Sequence, residues 1–379
     1  VILEEDKAYV GDTCKKFARI RICKLFFPNA SIHMNFRNKK HTGLYETILK
    51  NNPYVEQIHQ LEYDEINFAT YDVVICVMTD ERVLGTFLMQ QHSKSAYFPT
   101  AVFSYSESIR RIENTMVDNS IAIFPSYSDF LERADVEIDI RPDELFISTE
   151  EREWGNRWLE ANGVKKHEKV YVFVDATSNS NKFLRVDIYF TMLEWFLKRD
   201  NVRILIFDEV GNNKKDFYRM WLGDELTNEI IFSTRQEFRN DLCLLASDYI
   251  KFIIGPCTGL LHCASDIYNH FVSAGMPRRD VPLIVVYTGS FNDFTGYLPN
   301  SWWGGSPLVK CMVLCNTTGR PAIQLLDEMD ENAKTRADIL VNCKEYTMSM
   351  LFEFFRARFR EALFADEYNM YPVMQTVLR

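Results

Sequence analysis

The sequence predicts an α/β protein built from two Rossmann-like domains with parallel sheets, and three observations carry that reading. At 379 residues the chain exceeds what one ordinary core holds, since domains run about 100–200 residues. Short runs rich in Val, Ile and Phe alternate with longer helical stretches, as they do where crossover helices join parallel strands. A break near residues 142–168 then separates one β-α series from a second.

Taken in order, the expected strands are Val1–Leu3, Ser31–Phe36, Asp72–Val77, Ala101–Ser104, Lys169–Val174, Arg203–Phe207, Tyr249–Ile254 and Leu283–Tyr287. Each run is too short for a helix and apolar at consecutive positions, which suits strands covered on both faces. At the break, Pro142 is followed by Ser148-Thr149-Glu150-Glu151, a capping box that opens a helix carrying Trp154, Trp158 and Leu159. Gly163 ends that helix and the charged stretch Lys165–Lys169 leads into the second series. The expected domains are residues 1–147 and 148–335, followed by a helical segment, 336–379. Within that segment Met348, Leu351, Phe352, Phe355, Phe359, Ala362 and Leu363 recur at helical spacing, which predicts one long amphipathic helix packing back on a neighbouring domain.

Composition narrows the class. Hydrophobic residues make up 47% and charged residues 25%, as in a globular protein. A formal charge of −10 argues against a surface that coats nucleic acid, which needs a basic field. Nine cysteines without framework spacing point to a reducing compartment. Neither Cys257 with Cys263 nor Cys311 with Cys315 forms a C-x-x-C pair, so no metal site is expected. No apolar run approaches the ~18–20 residues that cross a bilayer, and the opening residues show no basic-then-apolar leader. The expectation is a cytoplasmic chain, with room for peripheral contact at the inner membrane face.

Three segments carry candidate chemistry. The strand Tyr249–Ile254 runs into Gly255-Pro256-Cys257-Thr258-Gly259-Leu260-Leu261-His262, a small-residue turn that opens a helix. Such a turn presents free backbone N–H groups and a favourable dipole to an anionic phosphate. The plainer alternative is an ordinary capped turn with a core histidine. The strand Lys169–Val174 runs into a polar loop containing Ser178 and Lys182, placed where doubly wound sheets bind ligands. Lys182 suits a diphosphate and equally a solvated surface. At the front, Asp12 falls at a helix entrance, where it fits an N-cap and also a general base.

Together these segments resemble the family 9 glycosyltransferases, the bacterial ADP-heptose:lipopolysaccharide heptosyltransferase family. Gly11-Asp12 through Arg19-Ile20-Arg21, then Phe26-Phe27-Pro28-Asn29-Ala30-Ser31-Ile32, is similar to that family's Gly-Asp helix and its following turn and strand. Asn52-Pro53-Tyr54-Val55 and Tyr71-Asp72-Val73-Val74-Ile75 are similar to its next landmarks. Ser178 through Lys182-Phe183 resembles its Ser-x-x-x-Lys-aromatic loop, Thr258-Gly259-Leu260-x-His262 its signature, and Pro282 to Gly289 its closing segment. The likeness is collinear over most of the chain. Two departures stand out: Cys257 replaces a frequent aspartate, and the stretch Asn292 to Ser306, with Trp302 and Trp303, is long for the pattern.

The resemblance implies the fold called GT-B, in which two Rossmann-like domains face each other across a cleft, and an inverting transfer without metal or other cofactor. The absence of an Asp-x-Asp motif agrees with a phosphate site made by protein alone. It implies an ADP-sugar donor, a heptose-like sugar, and an anionic glycan or lipid-linked acceptor of the lipopolysaccharide type. Residues 1–147 would bind the acceptor and 148–335 the donor. Asp12 would take the acceptor proton, while Ser178, Lys182, Thr258, Gly259, Leu260 and His262 would hold the donor diphosphate. Glu209 suits the ribose hydroxyls. Lys15, Lys16, Arg19, Lys39 and Lys40, with Lys24 and Arg37, would steer an anionic acceptor, although a solvated basic face reads the same way. Two rivals share these residues: another nucleotide-sugar enzyme of this architecture, with a different donor or an epimerase reaction, and a non-catalytic sugar-binding homologue.

Overall fold

A computed structural model describes residues 1–3, 10–14, 20–21, 23–24, 27–37, 42–76, 81–93, 100–104, 142–177, 179–208, 213–291, 297–317 and 319–368. The chain divides into two compact units, Val1–Phe146 and Ile147–Arg379, each organised around its own sheet.

In the first unit the strands β1 (Ile2–Leu3), β2 (His33–Asn35), β3 (Gln57–His59), β4 (Val73–Cys76) and β5 (Ala101–Ser104) form a parallel sheet in the order β3-β2-β1-β4-β5. Helix α1 (Val10–Cys14) follows β1, α2 (Thr42–Leu49) follows β2 and α3 (Glu81–Ser93) follows β4. The chain steps outward from β1 to β3 and returns on the other side of β1. The order therefore reverses between β1 and β4, and the crevice beyond the strand ends at such a point is where ligands bind. Leu3, Val74 and Cys76 from the sheet pack with Ile66, Phe68 and Val83. Arg21 is buried, and its Nη1 donates to the Glu144 carboxylate and the Pro142 carbonyl, each at 3.0 Å. Burying a guanidinium is tolerable only with such pairing.

The second unit opens with α4 (Thr149–Ala161). Its capping box is formed: Ser148 Oγ accepts from the Glu151 amide at 3.3 Å, and the Glu151 carboxylate accepts from the Ser148 amide at 3.1 Å. Gly163, at φ +93°, closes the helix in a Schellman motif, with the Val164 amide donating to the Leu159 carbonyl and the Gly163 amide to that of Glu160.

The second sheet contains β6 (Lys169–Phe173), β7 (Val202–Asp208), β8 (Ile230–Thr234), β9 (Ile250–Pro256), β10 (Leu283–Thr288), β11 (Val309–Cys315) and β12 (Ala322–Leu325), in the order β12-β11-β10-β9-β6-β7-β8. All pairings are parallel except β11 with β12. The crossover helices are α5 (Val186–Leu197), α6 (Lys214–Asn228), α7 (Phe238–Leu245) and α8 (Gly259–Ser273), with the short α9 (Pro299–Trp303) before β11. Here the order reverses between β6 and β9. Both strands are buried almost throughout, the property behind their mostly apolar sequences. Tyr171 and Phe173 of β6, Phe196 of α5 and Phe252 of β9 meet mostly edge to face at the centre of this core.

Each expected strand is present, with ends within two residues of those expected and Ala101–Ser104 unchanged. Four further strands, β3, β8, β11 and β12, complete the sheets. The expected single C-terminal helix is instead two, α10 (Met348–Arg358) and α11 (Arg360–Tyr368), separated at Phe359 with φ −118° and ψ 23°. The break lets Phe355, Phe359, Leu363 and Phe364 all lie buried. Phe352 and Phe364 pack on Trp195 of α5, and Phe355 packs on Phe196. Among the described residues no helix is long and apolar enough to cross a membrane.

Candidate functional site

Two of the segments singled out by sequence leave adjacent strands of the second sheet at its switch point. Phe173 of β6 lies in register with Ile254 of β9, and the Val174 amide donates to the Ile254 carbonyl at 2.8 Å. The loop that follows β6 and the turn that follows β9 therefore begin side by side. Gly255 makes this approach feasible, because a Cβ there would lie 2.7 Å from the Val174 Cβ and 3.0 Å from its carbonyl oxygen.

The turn after β9 is anchored by buried residues on both sides of an accessible tip. Cys257 and Leu260 are buried, whereas Thr258 and Gly259 are half-buried. Thr258 is the N-cap of α8, with extended backbone, yet its hydroxyl makes no capping bond. The first intrahelical bonds run from the Leu261 and His262 amides to the Thr258 carbonyl. The Gly259 and Leu260 amides come before those bonds, at the end of α8 where the helix dipole favours an anion.

The loop after β6 leads to a short 3-10 helix, Ser180–Lys182, whose N-cap Asn179 accepts from the Asn181 amide at 2.9 Å. Lys182 is half-buried, and its ammonium stands 5.1 Å from the centroid of the Phe291 ring, beyond the end of β10. Lys344 donates to the Leu184 carbonyl at 3.3 Å and fixes the far side of this loop. Asp175, at the loop's start, is held by the Lys214 ammonium and the Tyr218 hydroxyl, each at 2.7 Å. Tyr218 in turn shares a 2.8 Å hydrogen bond with Tyr189. Burial pushes both phenols well above the ordinary tyrosine value, so they remain protonated.

His262, one turn into α8, is buried with its imidazole flat against the Trp303 indole, 3.9 Å between centroids and 2° between planes. Cys257 stands before Thr258 with its thiol beside the Tyr297 hydroxyl, which lies 2.8 Å from the Thr288 hydroxyl. The position in which the resemblance places a frequent carboxylate thus holds a thiol, beside a phenol–hydroxyl pair. Burial, with Cys257 next, drives the Tyr297 phenol well above its usual value.

Of the remaining sequence candidates, Asp12 lies inside α1 rather than at its N-cap, on the segment that follows β1 at the first unit's switch point. Its side chain lies outside what the structure describes, as do Ser178, Glu209, Lys15, Lys16, Arg19, Lys39 and Lys40. The basic residues Lys24 and Arg37 are engaged locally: Lys24 donates to the Ala30 carbonyl at 2.6 Å, and Arg37 lies 3.6 Å from the Glu62 carboxylate and over the Tyr63 ring.

Sequence reasoning missed several participants. Thr177 precedes Ser178 in the loop, and its hydroxyl is buried without a partner among the described residues. An orphaned donor beside a candidate anion site suits a ligand oxygen. Phe291, Tyr297 and Trp303 lie far along the chain from the residues they touch, and the only hint was the unusual length of the stretch that contains Trp303.

The sequence matches no protein-family model and no curated protein. Solved structures do share its fold. The E. coli ADP-heptose LPS heptosyltransferase II aligns with a TM-score of 0.60 and 14% identity, over 97% of this chain and 99% of that one. The E. coli heptosyltransferase WaaC with ADP gives 0.54 and 11%, over 96% and 99% of the two chains. A glycosyl transferase family 9 structure from Veillonella parvula gives 0.52 and 13%, over 76% and 79%. Over nearly its whole length the chain has the two-domain α/β fold, GT-B, of these heptosyltransferases.

Proposed function

We propose that this chain is a glycosyltransferase that moves a sugar from a nucleoside diphosphate donor to a glycan or lipid-linked acceptor. The observation that carries the reading is the convergence of the post-β6 loop, with Lys182, and the Thr258 turn on the β6–β9 switch point. That is where a doubly wound sheet takes a nucleotide. The fold shared with the heptosyltransferases supports an ADP-sugar with a heptose-like group as the donor.

The chemistry follows from two charges. As the acceptor hydroxyl attacks the anomeric carbon, its proton passes to a base while the bond to the diphosphate breaks and the nucleoside diphosphate departs with the electron pair. Asp12 is the base in this reading; a carboxylate is a weak base, so proton transfer is advanced in the transition state. The Lys182 ammonium, the Thr177 and Thr258 hydroxyls and the Gly259 and Leu260 amides stabilise the departing diphosphate, a preorganised arrangement that needs no metal. Attack from the face opposite the leaving group inverts the anomeric centre. Ser178 and Glu209 complete the donor side, and the basic residues around Lys15, Lys16, Arg19, Lys39 and Lys40 attract an anionic acceptor.

The test separates the two roles. Lys182→Ala is expected to weaken ADP binding by about tenfold or more, in the range of a lost charge-assisted contact. Asp12→Asn is expected to keep ADP affinity while abolishing transfer. Transfer that survives Asp12→Asn would show that the proton goes elsewhere, and unchanged ADP affinity in Lys182→Ala would remove the lysine from the phosphate site.

A further inference from the structure

The three parts of the phosphate cradle each touch one aromatic residue from the stretch that follows β10. Lys182 stands over Phe291, the Cys257 thiol at the base of the Thr258 turn lies beside the Tyr297 hydroxyl, and His262 lies flat on Trp303. Phe291 and Tyr297 also contact each other, with centroids 4.1 Å apart. All three rings are buried. Tyr297 is tied to β10 through the Thr288 hydroxyl, and Pro299 at the first position of α9 sets the approach of Trp303.

We propose that Phe291, Tyr297 and Trp303 form an aromatic brace whose role is to hold the cradle in its anion-binding geometry before a ligand arrives. This rests on the transferase reading and adds to it the residues that position its donor site. Lysine is among the side chains with most rotamer freedom to lose on binding. A ring under its ammonium restricts that freedom in advance and attracts the charge. The flat stack fixes the plane of the His262 ring, and thus the first turn of α8 that carries it. Tyr297, itself tied to Thr288, packs beside the residue before Thr258 and restricts it. Each contact moves an ordering cost from the binding step to folding, which is how preorganisation raises affinity.

Because position 257 holds a thiol and the Tyr297 phenol stays protonated, the brace brings no carboxylate to the cradle. A carboxylate at position 257 would offset part of the lysine's field. The arrangement therefore favours a highly charged diphosphate by geometry and by leaving the ammonium uncompensated from this side. None of the three residues needs to touch the ligand, so they are positioning residues.

Amide hydrogen exchange of the ligand-free chain tests this without depending on the reaction. Trp303→Leu is expected to speed exchange in residues 257–263, and Phe291→Leu in residues 179–184, by about three- to tenfold, the range of one lost aromatic pair. Exchange in β7 and β8 should not change. Trp303→Phe keeps a ring against His262 and should restore slow exchange. Tyr297→Phe keeps the ring contact with Phe291 but loses the hydroxyl, so it should loosen 257–263 and spare 179–184. The same variants should bind ADP more weakly by similar factors, with restoration in Trp303→Phe. Exchange that is unaltered at both segments, or that rises equally throughout the unit, overturns the brace. Failure of the wild-type chain to bind ADP overturns the transferase reading, and the exchange pattern then still decides whether the brace couples these segments.

Discussion

Gly255 and Val174 sit side by side at the ends of neighbouring parallel strands, so close that a Cβ on Gly255 would fall 2.7 Å from the Val174 Cβ. That contact sets how nearly the post-β6 loop and the Thr258 turn can approach. Gly255→Ala is expected to force the two strand ends apart and to destabilise the second unit by about 1–3 kcal/mol, the usual cost of overpacking. It should also weaken ADP binding more than an equally destabilising change elsewhere in the sheet. Urea denaturation paired with ADP titration measures both, and an alanine variant with wild-type values for each would show that the close approach is not needed.

Glu151 serves two structures at once. It closes the capping box of α4 and receives two hydrogen bonds from Arg239, at 2.9 and 2.6 Å, with the Arg239 side chain 8% exposed and that of Glu151 15%. Glu151→Ala is expected to cost about 2–4 kcal/mol, above an exposed ion pair because the capping box and a mostly buried two-bond pairing with Arg239 are lost together. Arg239→Met in the same background should recover part of the loss. The double-mutant cycle reads the coupling, and simple additivity of the two changes would contradict it.

The nine cysteines are all buried as free thiols. Burial pushes the Cys343 thiol up to about 12 and Cys311 well above its usual value. Native protein at neutral pH should therefore react with a thiol-specific disulfide reagent only slowly, and denatured protein at all nine positions. Rapid labelling of several thiols in the native chain would contradict this burial.

The same shifts set a pH dependence. A thiol whose pKa is higher in the folded than in the unfolded chain loses its contribution as pH rises through the unfolded value. For Cys343 that window runs from its unperturbed 9.0 to about 12, and buried Tyr287 and Tyr346 act in the same direction. Unfolding free energy should fall as pH rises above about 9. A flat stability profile from pH 8 to 11 would speak against these groups being buried in the native state.

Central strands were legible because burial on both faces leaves little but apolar residues. Ile253-Ile254 and Val170 to Phe173 could hardly be anything else. Two of the four further strands lacked that mark: Gln57-Ile58-His59 is an edge with a single apolar residue, and β12 is a mostly half-exposed antiparallel edge. The other two carry only short or interrupted apolar runs, Ile230 to Phe232 in the edge strand β8 and a run broken by Lys310 in β11. Ser148 and Glu151 could be read as a pair because both halves of a capping box fall within one helical turn. Nothing local announces that Trp303 lies on His262 or that Tyr297 reaches Cys257. Those contacts come from the order of β9 and β10 in the sheet, which no sequence window contains. The split at Phe359 escaped notice because the apolar spacing continues through it unbroken.

The central claim is that the β6–β9 switch point takes a nucleoside diphosphate, and a crystal structure of the chain soaked with ADP tests it most directly. The account predicts the diphosphate within hydrogen-bonding distance of the Gly259 and Leu260 amides and of the Lys182 ammonium. ADP seated away from that switch point, for instance in the cavity of about 630 Å³ bordered by Arg152, Asp248 and Phe271, would contradict it.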